Sequence, residues 1–417
     1  MNVIARSALA RHFHRIAWLA VILTACVVVF GAFVRLSDAG LSCPDWPTCY
    51  GRATWPSASQ DAAAHAASGI RPFETHKAWR EQVHRHLAAS LGLVVLLLAV
   101  LAARRRRFGI ARILVAALLV AGSIPAYMQG RFGLAFALAG AGEAILLLAA
   151  LRWSNLPGSG PGQASRPGPG PDLASVAVLT LAVIVFQALL GMWTVTLLLK
   201  PIVVMGHLLG GMLMFGLLVW MAWRATHMPI TLVEAPKLKW LIRAGVAVLV
   251  LQIALGGWVS ANYAALACGG GSASLDNFPR CVSQWWPQHD FKEGFTLWRG
   301  IGVDYEGGVL DGASRIAIQM AHRMMAIVVA VYLLWLSVRL FKLPSMRGWA
   351  SALGLLVVAQ ITLGILNVKL AVPLEVAVAH SGGAVALLFV LVTLLARLRA
   401  PDADGKAGTS ASAVQAG

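Results

Sequence analysis

The stretch REQVHRHLAASLGLVVLLLAVLAARRRR, residues 80–107, decides the fold of this chain. Its middle, from Leu87 to Ala103, is an apolar run long enough to form one membrane-crossing helix. Glu81 and His84 lie three residues apart, so they share one face of that helix. Ionisable groups are costly inside a membrane and usually serve a function there. The stretch therefore predicts a transmembrane helix that carries a functional site near its beginning.

The composition of the whole chain is that of a membrane protein. Hydrophobic residues make up 59% of the 417 residues and charged residues 12%, whereas a soluble domain is about 45–50% apolar and about 25% charged. The net charge of +17 comes from basic clusters at the ends of apolar runs, as the positive-inside rule expects. We therefore predict an all-α, polytopic transmembrane helical bundle that is surrounded by membrane lipid and binds no nucleic acid.

The basic clusters also predict an orientation. Arg104–Arg107 end the second apolar run and mark its cytoplasmic end. The N-terminus, with Arg6, Arg11 and Arg15, is then cytoplasmic as well, and the loop between the first two runs lies outside. No small-residue cleavage site follows the first apolar run, so we interpret it as a retained helix and not as a signal peptide.

The two halves of the chain repeat one pattern, and the N-terminal half contains an insertion. The first and second histidines of the pattern lie further apart in the N-terminal half, by about the length of residues 108–172. The repeat and the extra length together predict two pseudo-symmetric four-helix halves plus an inserted apolar hairpin. The matched positions are Gly31 with Gly256, Val34 with Val259, Cys43 with Cys268, Cys49 with Cys281, His84-Arg85 with His322-Arg323, Gln187 with Gln360, Gly191 with Gly364, Val195 with Val368, and His207 with His380.

We divide the chain into five segments on this basis. Residues 1–107 form the first part of the N-terminal half, with two spans and the outer cysteine loop, and residues 173–236 complete that half. Residues 108–172 contain the inserted hairpin and a Pro/Gly linker. Residues 237–400 form the C-terminal four-helix half, and residues 401–417 form a disordered tail.

Four histidines occupy equivalent positions near the outer ends of predicted helices: His84, His207, His322 and His380. Each helix runs from outside to inside, so the four lie at a similar shallow depth. Facing helices that each offer one imidazole are typical of haem sites. A single histidine in a membrane is more often a packing residue, and two imidazoles are too few for structural zinc. The pattern favours two haem sites, one in each half.

The residue three positions before the first histidine differs between the halves. Glu81 can take up a proton, whereas the amide of Gln319 cannot ionise. This difference predicts a reactive N-terminal site and an electron-transfer haem in the C-terminal half. The alternative for Glu81 is a carboxylate that favours the start of a helix. Arg85 and Arg323 are candidates for binding haem propionates, or else they extend toward the membrane surface.

Four of the five cysteines form two pairs within outer loops, Cys43 with Cys49 and Cys268 with Cys281. Such pairs indicate disulfide bonds on an oxidising side of the membrane. The pair Cys43-Cys49 is either a structural disulfide or a redox-active one. Cys26 lies inside an apolar run, and we expect it to pack within the protein.

Taken together, these motifs resemble the haem A synthase family. The resemblance rests on GAFVRLSDAGLSCPDWPTCYG at residues 31–51, on the Glu81-x-x-His84-Arg85 signature, and on the segment 187–195 that leads to His207. The His322-Arg323 pair and His380 complete it. It covers nearly the whole chain apart from the insertion and the tails.

The family resemblance implies an oxidoreductase that acts on a CH group. Its members oxidise a methyl group of haem O to the formyl group of haem A for terminal oxidases. The resemblance places the substrate haem with His84, His207 and Glu81, and a haem b cofactor with His322 and His380. It also implies a bacterial inner membrane, with a haem O synthase and an electron donor or acceptor as candidate partners, and it leaves the oligomeric state open.

Two other functions fit the same histidines. A di-haem b-type quinol or electron-transfer cytochrome uses similar ligands, but such proteins usually place their haems near opposite membrane faces. A non-catalytic haem carrier or assembly factor is the third alternative, and it has no need of Glu81.

Overall fold

The computed structural model describes residues 12–55, 73–154, 173–226, 228–269 and 278–401. Ten helices within these ranges are long and apolar enough to cross a membrane. The chain is therefore a multi-pass membrane protein, and the predicted all-α bundle is confirmed. The predicted Pro/Gly linker and the tail after residue 401 lie outside the described residues.

A short helix and a two-residue strand pair accompany the ten long helices in the described ranges. A parallel pairing of Ile230 with Leu398 joins the ends of the two halves. The elements are α1 (Phe13–Leu36), α2 (Thr75–Ala103), α3 (Gly109–Met128), α4 (Phe132–Ser154), α5 (Leu173–Thr196), α6 (Pro201–Thr226), β1 (Ile230–Thr231), α7 (Ala235–Ala261), α8 (Phe291–Gly294), α9 (Gly312–Phe341), α10 (Arg347–Lys369), α11 (Leu374–Arg397) and β2 (Leu398–Arg399).

Two four-helix units repeat one packing pattern. In the N-terminal unit, α1 and α5 each pack against both α2 and α6. In the C-terminal unit, α7 and α10 pack against α9 and α11 in the same way. The units meet through the first and fourth helix of each, namely α1 and α6 on one side and α7 and α11 on the other. The predicted pair of pseudo-symmetric halves is therefore present.

The interface between the halves is tightly packed around α6. Leu218, Met221 and Ala222 of α6 are fully buried, and the indole N–H of Trp223 donates to Thr393 Oγ1 of α11 at 2.8 Å. Helices in lipid associate mainly through close packing and such interhelical hydrogen bonds. This interface therefore fixes the two units relative to each other.

The inserted hairpin consists of α3 and α4, which cover the N-terminal unit on the side of α2 and α5. A Cβ atom at Gly142 of α4 would lie 2.8 Å from Val120 Cγ2 and 2.9 Å from the Ala116 carbonyl oxygen of α3. Glycine at this position therefore lets the two helices approach closely. The second helix, α4, also packs along α5. In the C-terminal unit only the 3₁₀ turn Pro344–Met346 connects the equivalent helices.

Each half carries a disulfide loop at the same end of the bundle, which we call the disulfide end. The bonds Cys43–Cys49 and Cys268–Cys281 are both formed, so this prediction is confirmed. The second cysteine of each pair makes the same small bridge, Cys49 with Arg52 and Cys281 with Gln284. The loops are thus structural repeats as well as sequence repeats.

The expectation for Cys26 was wrong, and helix α2 begins earlier than its apolar run. It begins at Thr75, twelve residues before Leu87, so His76 lies in its first turn. The early start has a physical cause, because Ala78 of these added turns is buried against both cysteines of the first loop. Cys26 is exposed on the surface of α1 and does not pack within the protein.

Helix α9 has a defined start because Asp311 caps it. The Asp311 carboxylate accepts a hydrogen bond from the Ser314 N–H at 2.8 Å, which is the typical role of an N-cap residue. This hydrogen bond lowers the pKa of Asp311 below its ordinary value. The cap fixes the depth at which His322 enters the bundle.

Replacing Arg35 tests the link between the halves at the disulfide end. Its guanidinium donates to Tyr263 Oη at 3.0 Å and to the Ser260 carbonyl at 2.9 Å. We expect Arg35→Ala to lower the free energy of unfolding by about 2 kcal/mol, since hydrogen bonds from a charged group are lost. Thermal unfolding in detergent measures this. Arg15→Ala, at an exposed position of the same helix, should leave stability unchanged, and equal stabilities of the two variants would contradict the assignment.

Candidate functional site

The four predicted histidines all line one continuous cavity of about 1870 Å³. They lie on the second and fourth helix of each half, namely α2 and α6 in the first and α9 and α11 in the second. Each histidine is among the first dozen residues of its helix, at the disulfide end. The structure therefore brings together, in each half, two facing helices with one imidazole each.

A glycine on the neighbouring helix makes room for each imidazole. A Cβ atom at Gly31 would lie only 2.8 Å from His84 Cε1, closer than packed atoms approach, so the ring would have to move. Sequence comparison matched these glycines between the halves but gave them no role. The other three Cβ-to-Cε1 distances are 3.4 Å for Gly191 and His207, 3.2 Å for Gly256 and His322, and 3.2 Å for Gly364 and His380.

Three of the four histidines have a buried ring nitrogen without a geometrically formed hydrogen bond. The Nδ1 atoms of His84, His207 and His380 are buried without a hydrogen-bond partner, whereas buried polar atoms are normally paired. An ordinary packing histidine would have its nitrogens satisfied. No group of three or more His, Cys, Asp or Glu side chains in the described ranges could hold a metal ion. Two buried imidazoles on facing helices fit a haem, which His84 with His207 and His322 with His380 would hold.

Glu81 is buried beside the N-terminal pair of histidines. Only 4% of this residue is exposed, and it lines the shared cavity. Its Oε2 atom accepts a hydrogen bond from the Cys43 N–H at 2.8 Å, and its Oε1 atom accepts one from Arg85 Nη2 at 2.6 Å. The carboxylate is therefore held in one orientation between helix α2 and the first disulfide loop.

Arg85 connects the same carboxylate to the tip of the loop. Its Nη1 atom donates to the carbonyl oxygens of Asp45 at 2.8 Å and of Thr48 at 2.5 Å. The side chain also lines the cavity. Arg85 therefore positions Glu81 and the loop, a role that the sequence did not indicate. Binding of a haem propionate by Arg85 stays a prediction.

The C-terminal site lacks this ion pair. Gln319 donates through Nε2 to the Ala265 carbonyl at 3.1 Å, and Arg323 donates to the Arg280 carbonyl at 3.3 Å and lies 5.5 Å from the Phe278 ring. The two side chains fix the second loop without a buried charge pair. The halves therefore differ in more than the replacement of Glu81 by Gln319. The hydrogen bonds that join α2 and α9 to their disulfide loops differ as well.

Gln252 is a site residue that sequence reasoning missed. Its Nε2 atom lies 3.2 Å from His322 Nδ1, and its Oε1 atom is buried without a partner. The same Nε2 atom donates to the His322 carbonyl at 3.3 Å, so Gln252 contacts both the backbone and the ring of His322. Such partners orient metal-binding histidines. The matched position on α1 is Val27, so only the C-terminal half has this contact.

Replacing Gly31 by alanine should disturb the N-terminal site selectively. The added methyl group displaces the His84 imidazole, so we expect haem bound by His84 and His207 to fall at least about tenfold, since such sites tolerate little misplacement. Absorption spectra and extracted haem per protein measure this change. Gly133→Ala is the control because nothing lies within 4 Å of a Cβ there. Wild-type haem content in Gly31→Ala would contradict the packing role.

Replacing Gln252 by leucine should weaken haem binding in the C-terminal half. Loss of the partner of His322 Nδ1 should speed dissociation of that haem by about tenfold or more and shift its reduction potential. Haem transfer to an excess of an apo-haemoprotein and a redox titration measure the two effects. Val27→Leu, at the matched position, should change neither. An unaltered potential in Gln252→Leu would exclude the positioning role.

Comparison with known proteins gives an independent result. A family model described as cytochrome oxidase assembly protein, COX15-CtaA, matches residues 14–141 and 139–392. The chain is 34% identical over 389 residues to a protein of Shewanella oneidensis named heme A synthase, which covers 91% of this chain and 96% of that protein. A protein of the same name from Rhodospirillum centenum is 37% identical over 94 residues, or 22% of this chain and 25% of that protein.

Proposed function

The chain belongs to the cytochrome oxidase assembly protein family that contains the haem A synthases, and we propose that it is itself a haem A synthase. It oxidises a methyl group of haem O to the formyl group of haem A, and so acts as an oxidoreductase on a CH group. Beyond the family, one observation supports this function most. The buried Glu81–Arg85 pair adjoins one histidine pair only, so one haem site has the side chains for proton chemistry.

The N-terminal half holds the substrate. His84 and His207, on the facing helices α2 and α6, bind the iron of haem O. The buried position of the site excludes water from the macrocycle, and the four-helix packing fixes both imidazoles. The side chains that line the cavity around these histidines would hold the macrocycle in one orientation, which selects one methyl group for oxidation.

Glu81 takes up protons that are released as the methyl group is oxidised. The Cys43 N–H and the Arg85 guanidinium orient its carboxylate, so the proton acceptor is preorganised for its role. Arg85 is a positioning residue that acts through Glu81 and also fixes the disulfide loop above the site. Glu81 and Arg85 therefore connect the first disulfide loop to the site of methyl oxidation through hydrogen bonds.

The C-terminal half holds the resident cofactor. His322 and His380 would hold the iron of haem b, and the contact of Gln252 with His322, which has no counterpart at Val27, suits a permanently bound group. Gln360 donates through Nε2 to the His380 carbonyl at 2.9 Å, which fixes the backbone beside this ligand. Haem b, when bound there, supplies one-electron transfer chemistry.

The membrane is the bacterial inner membrane, with the N-terminus in the cytoplasm. The disulfide end then faces the oxidising side, where disulfide bonds persist, and the arginines that follow α2 face the cytoplasm. A haem O synthase is the partner expected to supply the substrate, and an electron donor or acceptor serves the haem b site.

The di-haem electron-transfer cytochrome is the second candidate, and the depth of the ligands speaks against it. A chain that moves electrons across a membrane places haems near both faces, whereas all four histidines here lie at the disulfide end. A haem carrier is the third candidate. It gives no reason for a buried carboxylate at one site and an amide at the other.

Replacing Glu81 by glutamine tests the proposed function. Glu81→Gln keeps the size and one hydrogen-bonding oxygen but removes the proton acceptor, so we expect haem A formation to fall at least about a hundredfold. Haem O should accumulate in the purified protein while haem b remains. Chromatography of the extracted haems measures all three.

The matched control for this test is the C-terminal position. Gln319→Ala removes a loop contact without a charge and should leave haem A formation near wild type. Haem A formation at the wild-type rate in Glu81→Gln would exclude the proposed role of Glu81. Haem b alone in the wild-type protein, with haem O supplied, would exclude the synthase function and favour the electron-transfer cytochrome.

A further inference from the structure

Helix α3 of the inserted hairpin forms part of the wall of the N-terminal site. Its cavity-lining residues lie at alternating intervals of one and three positions, so they share one face of the helix. All are apolar, and most are small. They line the same continuous cavity as His84 and His207. These residues are Ala116, Ala117, Val120, Ala121 and Ile124.

This face completes a three-sided apolar trough that extends from the histidines toward the other end of the bundle. Helix α2 contributes Ala89, Leu93 and Leu96 to the cavity lining, and helix α5 contributes Leu181 and Ile184. At 1.5 Å per residue, the lining face of α3 covers about 12 Å along the helix. We call this feature the α3 trough.

At the disulfide end of the bundle, the α3 trough is in contact with the first disulfide loop. Tyr127, near the end of α3, makes an edge-to-face contact with Trp46 of the loop, with ring centroids 6.1 Å apart. Trp46 also lines the cavity. Ile124 therefore lies near the level of the loop, and Ala116 lies deeper in the bundle.

The C-terminal half has no counterpart of this wall. Its second and third helices, α9 and α10, are joined by the turn Pro344–Met346, and no further described helix covers the side that they share. Ile327 and Val331 of α9 line the cavity there and are exposed, as are Ala89 and Leu93 at the matched positions of α2. Among the described residues, the halves therefore differ here by the lining face of α3, which only the first half has.

The substrate and the cofactor of the proposed reaction differ in a matching way. Haem O carries a long isoprenoid chain at a position where haem b carries a vinyl group. Such a chain gains free energy when it is buried against apolar side chains. A site for haem O therefore benefits from an apolar trough beside the macrocycle, and a site for haem b does not.

We propose that the α3 trough binds the isoprenoid chain of haem O and makes the N-terminal site selective for haem O over haem b. This inference rests on the proposed function. The trough adjoins the histidine pair within one cavity, so the chain can enter it while the iron lies between His84 and His207. Ala89, Leu93 and Ala121 are exposed at its margin, which lets the chain enter from the surrounding lipid.

Tryptophan substitutions that fill the trough test this proposal. Ala117→Trp and Ala121→Trp place an indole where the chain would lie. Leu118→Trp is the matched control on the same helix, since Leu118 is 72% exposed and does not line the cavity. Each detergent-purified protein is titrated with haem O and with haem b, and a His84→Ala variant identifies the signal of the N-terminal site.

We expect the wild-type protein and Leu118→Trp to bind haem O at this site at least about tenfold more tightly than haem b, since many apolar groups are buried. Ala117→Trp and Ala121→Trp should lose this preference through weaker binding of haem O, with haem b bound as before. Ala117→Leu and Ala121→Leu should give smaller losses, and they replace the tryptophan variants if these fail to retain haem b at the C-terminal site.

Two results would overturn the proposal. The first is equal binding of haem O and haem b by the wild-type N-terminal site. The second is unchanged haem O binding in the variants that fill the trough, which would leave the trough to a lipid acyl chain. Failure of the proposed function is distinguishable from both, because then His84→Ala would remove no haem O signal from the wild-type titration.

Discussion

The structure depends on the close contact of an imidazole on one helix with a glycine on the next. Gly31 and His84 show this contact at its tightest, and the other three histidines repeat it. An imidazole beside a larger residue would be pushed away from its place on the cavity wall. The glycine lets the helices stay packed while the ring is held in place. Four such contacts set the spacing of the helices in both halves and the level of both candidate haem sites.

On this shared framework the halves have diverged in three places. Glu81 with Arg85 gives the first half a buried charge pair where the second has an amide. Gln252 gives His322 a partner that valine cannot give His84. The inserted hairpin adds an apolar wall to the first half. These differences support the proposal that the first site serves proton chemistry and a substrate that enters and leaves, and that the second site holds a resident haem.

The sequence predicted the features that depend on length, spacing and repetition. The predicted halves and hairpin account for the ten long helices of the described residues, and the cysteine pairs became disulfides because each pair lies within one loop. The start of α2 could not be predicted, since its first turns are polar and largely exposed and only Ala78 is buried there, against the first disulfide loop. Gln252 could not be predicted as a site residue because the matched position in the N-terminal half is Val27 and not a glutamine. The contacts of Arg85 and the place of the hairpin depend on tertiary packing, which apolar periodicity does not specify.

The central claim is that each half binds a different haem. The most direct measurement is an experimental structure of the protein purified with haem O in excess and without an oxidant. The account predicts a haem with an isoprenoid chain between His84 and His207, and a haem without one between His322 and His380. A haem with an isoprenoid chain between His322 and His380, or haems without chains at both sites, would contradict it.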